Sequence, residues 1–212
     1  MSAPDGTMSH TLQYITSYPM RFLFPSQHKK DNVFISYNNK KGGVSIEQYD
    51  IKEDEFSDPI NEDVKLARHW LFDSKEQLRV GWGIVEGKMW VWYRTSNKDD
   101  WEVVMKVAKN PKETFQPAAI AEDGQKILFY TNRQSDFISI QEYDPFTRKI
   151  GDVVFDKGNS EIVRVNKANN SEKIESIEYI KDGLNQIHYL DPETKAISEQ
   201  VNALFPGQQA RT

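Results

Sequence analysis

Short runs of apolar residues, five to seven positions long, recur along the chain and are separated by Pro, Gly, Asn and Asp. Val33–Tyr37, Val44–Tyr49, Leu78–Trp82, Met89–Arg94, Glu102–Val107, Ile127–Thr131, Phe137–Tyr143 and Ile174–Tyr179 are rich in β-branched and aromatic side chains. Such residues pack well on a pleated surface, so each run predicts a strand. Met89-Trp90-Val91-Trp92-Tyr93 has no polar alternation, which predicts a strand covered on both faces. No segment before residue 190 carries a helical period. The pattern predicts an all-β chain of many short antiparallel strands.

The runs repeat. Val44-Ser45-Ile46-Glu47-Gln48-Tyr49-Asp50 returns as Ile138-Ser139-Ile140-Gln141-Glu142-Tyr143-Asp144, 94 positions later, or two periods of 47. Met89–Arg94 lies between them and Asn185–Asp191 follows. The closing positions Asp50, Arg94, Asp144 and Asp191 are spaced by 44, 50 and 47 residues. The strand before each keeps the same rhythm: Val33, Leu78, Ile127 and Ile174 are 45, 49 and 47 apart. A period of about 40–50 residues with several short strands per unit is the mark of β-propeller blades. A lone small sheet cannot bury two apolar faces, whereas stacked copies bury each face against a neighbour. The competing reading is a β-sandwich with coincidental spacing.

Punctuation agrees with the repeat. Asp123-Gly124 precedes the Ile127 strand, and Asp144-Pro145 and Asp191-Pro192 follow outgoing strands. Four units are predicted near residues 18–60, 64–108, 115–157 and 160–191. Together with the C-terminal segment they form one propeller domain over 18–212, partial or four-bladed, preceded by a tail over 1–17. Asp191 is placed to cap a helix with Pro192 at its first position and Glu193 in its first turn. Ile197, Val201 and Leu204 follow at helical spacing, and Pro206-Gly207 ends the segment. The expected helix runs from Pro192 to Leu204 and packs those three side chains on the last sheet.

Composition narrows the function classes. The chain has 212 residues, 27 Lys and Arg against 32 Asp and Glu, and a net charge of −5. That balance argues against nucleic-acid binding, which draws on a basic excess. With no Cys, disulfides, thiol redox chemistry and Cys-ligated zinc are excluded. No apolar run is long enough to span a bilayer, and Met1–His10 is too polar for a signal peptide. The expectation is a soluble protein of the cytoplasm or periplasm, with no membrane partner.

Chemistry-bearing motifs are sparse. There is no Gly-x-Ser-x-Gly elbow; Gly158-Asn159-Ser160 lacks its second Gly. Gly81-Trp82-Gly83-Ile84-Val85-Glu86-Gly87-Lys88 has the wrong spacing for a phosphate loop and fits a strand-turn-strand hairpin. His10, His28, His69 and His188 are scattered, without metal-ligand spacing. Glu53, Asp54, Glu55 and Asp58 lack the order of a calcium loop and read as a solvated segment. Trp70, Trp82, Trp90, Trp92 and Trp101 all fall in the second unit, as blade core or as a ligand surface. Asn169-Asn170-Ser171 fits a glycosylation sequon. The sequence assigns no catalytic, cofactor-binding or metal-binding residue, and no cofactor.

Ala121-Glu122-Asp123-Gly124-Gln125-Lys126-Ile127-Leu128-Phe129-Tyr130-Thr131-Asn132-Arg133 resembles the blade unit of TolB-like propellers and of the prolyl oligopeptidase (S9) family. Ile187-His188-Tyr189-Leu190-Asp191-Pro192-Glu193 with Ala203-Leu204-Phe205-Pro206-Gly207, and Val153-Val154-Phe155-Asp156, resemble segments in the propellers of bacterial members of that family. The resemblance covers roughly residues 20–210. It implies the N-terminal propeller of a serine peptidase, covering the active site and filtering peptide substrates. A missing α/β-hydrolase domain, or further blades, would be its partner in the parent protein. No catalytic residue of the family carries over, because its triad lies beyond the matching region. The second reading is a stand-alone TolB-like propeller that scaffolds a protein partner. Uncovered terminal blades add an expectation of homo-oligomers.

Overall fold

The computed structural model describes residues 20–121, 124–133, 136–167 and 174–204. The tail over 1–17 with His10, the Glu122-Asp123 pair, the Asn169-Asn170-Ser171 sequon and Phe205-Pro206-Gly207 lie outside the described residues. The chain is all-β, with four antiparallel blades of the β-propeller type and a short C-terminal helix. Its contacts group it into two compact units, Met1–Trp70 with Leu78–Val107 and Leu71–Gln77 with Ala108–Thr212. Among the described residues no helix is long and apolar enough to cross a membrane.

In the first unit, blade one is a meander of β1 (Arg21–Pro25), β2 (Asn32–Asn38), β3 (Val44–Asp50) and β4 (Glu55–Phe56). β2 and β3 pair in unbroken register from Asn32↔Asp50 to Asn38↔Val44. Phe34, Ile35, Ile46 and Tyr49 are buried along this central pair. Blade two contains β5 (His69–Phe72), β6 (Leu78–Val85), β7 (Lys88–Tyr93) and β8 (Glu102–Ala108). The strand expected over Leu78–Trp82 continues to Val85, because Gly83, Ile84 and Val85 pair with Trp90, Met89 and Lys88. Glu86 and Gly87 make the turn with φ of 50° and 73°. Two consecutive left-handed residues match the twist of the strands they join, so this glycine-rich stretch is the predicted hairpin.

Gly81 and Gly83 sit opposite Trp92 and Trp90. A Cβ on Gly81 would come within 2.3 Å of the Trp70 ring, and one on Gly83 within 2.7 Å of the Leu66 carbonyl oxygen. The two glycines therefore let Trp70 and the connecting chain lie directly on β6. Trp70 Nε1 donates to the Val44 carbonyl at 3.0 Å. The Val44 N–H in turn donates to the Ala67 carbonyl at 2.8 Å. These bonds tie blade two to the start of β3.

In the second unit, blade three contains β9 (Phe115–Ile120), β10 (Ile127–Thr131), β11 (Ser139–Asp144) and β12 (Lys149–Phe155). Blade four contains β13 (Glu161–Lys167), β14 (Ile174–Lys181) and β15 (Leu184–Tyr189). Ala119, Ala121, Leu128 and Ile140 form one core with Ile162 and Ile177 of blade four. The Val165 N–H donates to Tyr130 Oη at 2.8 Å across the same seam. β11 starts at Ser139 rather than Phe137, since the ladder begins with Thr131↔Ser139 and Ser139 Oγ donates to the Thr131 carbonyl.

The closing aspartates reveal how the repeat works. Asp50 Oδ1 accepts from the Lys52 and Glu53 N–H groups at 2.9 and 3.0 Å, and Asp54 follows with φ of 56°. Asp144 Oδ1 accepts from Phe146 and Thr147 at 2.8 and 3.1 Å, and Arg148 follows with φ of 58°. The same aspartate-led turn thus delivers β4 in blade one and β12 in blade three. At Asp191 the outcome differs. Its Oδ2 accepts from the Thr194 N–H at 2.9 Å and caps α1 (Pro192–Leu204).

The extent of α1 matches the sequence expectation, but its packing face does not. Ile197 is 49% exposed and Leu204 74% exposed. The buried helical residue is Ser198, whose Oγ lies 2.6 Å from Tyr189 Oη. The helix is rotated so that a small hydroxyl residue faces β15, which trades two apolar contacts for a hydrogen bond to a strand-borne phenol.

Candidate recognition cleft on blade two

The tryptophan-rich unit predicted from sequence folds into two surfaces. Trp82 turns to one side of β6 and stacks on His69, with ring centroids 5.0 Å apart. Trp70, Trp90, Trp92 and Trp101 pack with Val64, Ala67, Val85 and Val103 as a separate cluster. Trp70 meets Trp101 edge-on at 5.4 Å, and Trp90 lies 5.8 Å from Trp92. Lys106 Nζ sits 3.7 Å from the centre of the Trp90 ring, a cation–π contact. Most of this cluster is blade core. Trp92 and Trp101 also line a cleft of about 280 Å³, together with Asp63, Val64, Asp100 and Val103.

The connection between the two blades supplies one wall. Asn61 pins it: its Oδ1 accepts from the Ile46 N–H at 2.9 Å, and its Nδ2 donates to the Val44 carbonyl at 2.8 Å. The Val64 N–H then donates to the Asn61 carbonyl at 3.0 Å, placing Asp63 and Val64 at the rim. The approach to β8 supplies the other wall with Asp100, Trp101 and Val103.

Arg94 holds the two walls in place. It occupies the closing position that is aspartate in the other three repeats. Its side chain is buried, with Nε donating to the Leu78 carbonyl at 2.8 Å and Nη2 to the Ile60 carbonyl at 3.1 Å. Nη2 also donates to Asn97 Oδ1 at 2.7 Å. The guanidinium lies over Trp101, 4.3 Å from the ring centre. Burial pulls its pKa down to about 10, while the carboxylates of Asp63 and Asp99 pull the other way. Hydrogen bonds from Thr95 and Ser96 hold the Asp99 carboxyl below the usual carboxylate range.

The other residues singled out from sequence lie in separate environments. His28 is exposed. Burial and the neighbouring Arg68 charge depress the His69 pKa. His188 packs against Phe155 at 5.2 Å, and burial, Lys157 and Lys195 depress it likewise. Glu53, Asp54, Glu55 and Asp58 are exposed, with Asp54 accepting from Tyr49 Oη at 2.6 Å. That hydrogen bond, with burial, pushes the Tyr49 hydroxyl up to about 12. Ser160 is buried in a turn where its Oγ donates to the Lys157 carbonyl at 3.2 Å. Among the described residues no group of three or more His, Asp or Glu is arranged to hold a metal ion. The sequence did not single out Asp63, Val64, Asp100 or Val103. They sit in two loops far apart in the chain, and nothing in their local pattern links them.

No family model matches the chain, and no curated protein matches its sequence. Among solved structures it is similar to a prolyl endopeptidase at 12% identity and a TM-score of 0.49, over 83% of this chain and 27% of that one. It is similar to an uncharacterized protein of Listeria monocytogenes at 13% identity and a TM-score of 0.45, over 82% and 55% of the two chains. It is also similar to the β-propeller domain of the Trilobed protease from Pyrococcus furiosus, at 12% identity and a TM-score of 0.43, over 80% and 57%. The chain spans less than two thirds of the length of each of these three.

Proposed function

We propose that this chain is a non-catalytic recognition propeller that binds polypeptide at the blade-two cleft. In this reading it is the propeller portion of a prolyl oligopeptidase-like serine peptidase, and it filters peptides on their way to a hydrolase domain of the parent protein. The observation that carries the proposal is the juxtaposition of Trp92 and Trp101 with Asp63 and Asp100 around one cleft. Aromatic walls with a few polar groups are the usual make-up of a binding site. The sequence resemblance over residues 121–133 and 187–207 supports the peptidase setting.

A second reading, a scaffold for a folded protein partner, draws on a different surface. Ile150, Val153 and Val154 are exposed on β12, an edge strand of blade three. Exposed apolar edges pair with other proteins. One experiment separates the readings: fluorescence polarisation of a labelled pool of short unstructured peptides with the full chain. Peptide recognition at the cleft requires saturable binding that Trp101→Leu weakens and Val153→Lys leaves unchanged. Binding insensitive to Trp101→Leu, or no binding, overturns it.

A further inference from the structure

The cleft already shows what its walls accept. Arg94 lays a guanidinium on Trp101, a cleft residue, with the carboxylate of Asp63 in electrostatic range. That internal cation is fully used by the Leu78 and Ile60 carbonyls and by Asn97. The carboxylates at the rim are not. Neither Asp63 nor Asp100 takes part in a hydrogen bond or a close ion pair among the described residues. Two unneutralised carboxylates beside two indole rings repel anions and leave a neutral ligand without use for the charge. They also make a poor site for a hydrated metal ion, which needs more oxygen ligands than two carboxylates supply.

A planar, weakly hydrated cation fits all four groups at once, since it stacks on aromatic faces and forks to carboxylates. The opening volume of about 280 Å³ admits a long side chain and excludes a folded element.

We propose that the blade-two cleft takes the guanidinium of an arginine side chain presented by a polypeptide, stacked against the Trp92–Trp101 wall and paired with Asp100 and Asp63. The proposal rests on the recognition reading above and adds the chemistry of the recognised residue. Arginine supplies both the flat face and the fork, so its neutral isostere citrulline keeps the shape and loses the charge.

The test compares three probes on the full 212-residue chain by intrinsic tryptophan fluorescence: a glycine-flanked arginine pentapeptide, the same peptide with citrulline, and arginine amide alone. The arginine peptide is expected to bind saturably and about tenfold more tightly than the citrulline peptide, the scale of one partly desolvated cation–π and carboxylate contact. Asp100→Asn is expected to weaken it about three- to fivefold, and raising the salt to weaken it further. Asp100 is exposed and without a partner, so Asp100→Asn should keep the wild-type unfolding midpoint, which separates lost binding from lost fold. Equal binding of the arginine and citrulline peptides overturns the cation proposal and leaves polypeptide recognition standing. Binding of arginine amide that Asp100→Asn weakens, with no gain from the peptide, supports the cation site and overturns polypeptide recognition. Arginine-peptide binding unchanged in Asp100→Asn overturns the placement of the cation at this cleft.

Discussion

Replacing Gly81 by alanine adds one methyl group where the structure has no room for it. The new Cβ would lie 2.3, 2.8 and 2.9 Å from three ring carbons of Trp70. Relief requires the indole to move, and the indole is tethered. Its Nε1 donates to the Val44 carbonyl, and its ring meets Trp101 edge-on. Overpacking of a filled core costs about 1–3 kcal/mol. Losing the Trp70–Val44 hydrogen bond adds about 1 kcal/mol. A total of about 2–4 kcal/mol follows. With a urea slope of about 1–3 kcal/mol per molar for a small domain, the unfolding midpoint should fall by about 1 M or more. Tryptophan emission is the natural probe, because Trp70, Trp92 and Trp101 share the affected cluster. A cycle with Trp70→Leu makes the test specific: Leu shortens the ring that blocks the methyl group, so the double variant should lose less than the sum of the single changes. An unchanged midpoint for Gly81→Ala, or simple additivity in the cycle, would show that Trp70 does not press on β6.

Arg94→Met should destabilise the first unit by about 3–5 kcal/mol, since it strips a buried charged network and leaves the Leu78 and Ile60 carbonyls without their donor; Arg94→Lys should not restore it, because an ammonium cannot fork to both walls, and urea melts of the two variants check this. His69 and His188 both hold their protons less firmly when folded than at the ordinary value of 6.5. The unfolded chain therefore takes up more protons as the pH drops through 6.5, and stability should decline in that direction and level off above it; melting curves between pH 5 and 8 (about the range where His titrates) should flatten in the double variant His69→Gln/His188→Gln. Asp191→Ala should cost about 1 kcal/mol by uncapping α1, whereas Ile197→Asp should change stability by less than about 0.5 kcal/mol, because that side chain faces solvent; denaturation with circular dichroism detection distinguishes the two.

The central strands were legible and the edge strands mostly were not. β2, β3, β6, β7, β10, β11 and β14 all have neighbours on both sides in their sheets, and each shows as an apolar run. β1, β4, β5, β9, β12 and β13 are edges. β12 is exposed along nearly its whole length and β4 has two residues, so burial imposes little on their sequences. β9 carries Pro117, which an edge tolerates and a central strand does not. Asp182-Gly183, with φ of 51° and 76°, marks the turn into β15 as clearly as any pair in the chain. The 47-residue period was legible because the aspartate-led turns recur with it. The cleft was half legible: indole rings announce themselves by type, but Asp63 and Asp100 are ordinary loop acids until the fold brings them to one rim. The helix face was misread because spacing alone rewards Ile197 and Leu204, while the Tyr189 hydroxyl selects Ser198.

The aspartates that end the third strand of three repeats have a bearing on how such a chain can change length. At Asp50 and Asp144 the carboxylate gathers two following N–H groups into a turn, and at Asp191 it gathers one at the head of a helix. The local act is the same in each case, and the dozen residues downstream decide whether another strand or a helix results. Growth or termination of the array is therefore governed by a short exchangeable segment, and everything upstream of the aspartate can stay as it is. An ancestor with one more strand, and a descendant that stops in a helix, are separated by a handful of substitutions rather than by a redesign of the repeat.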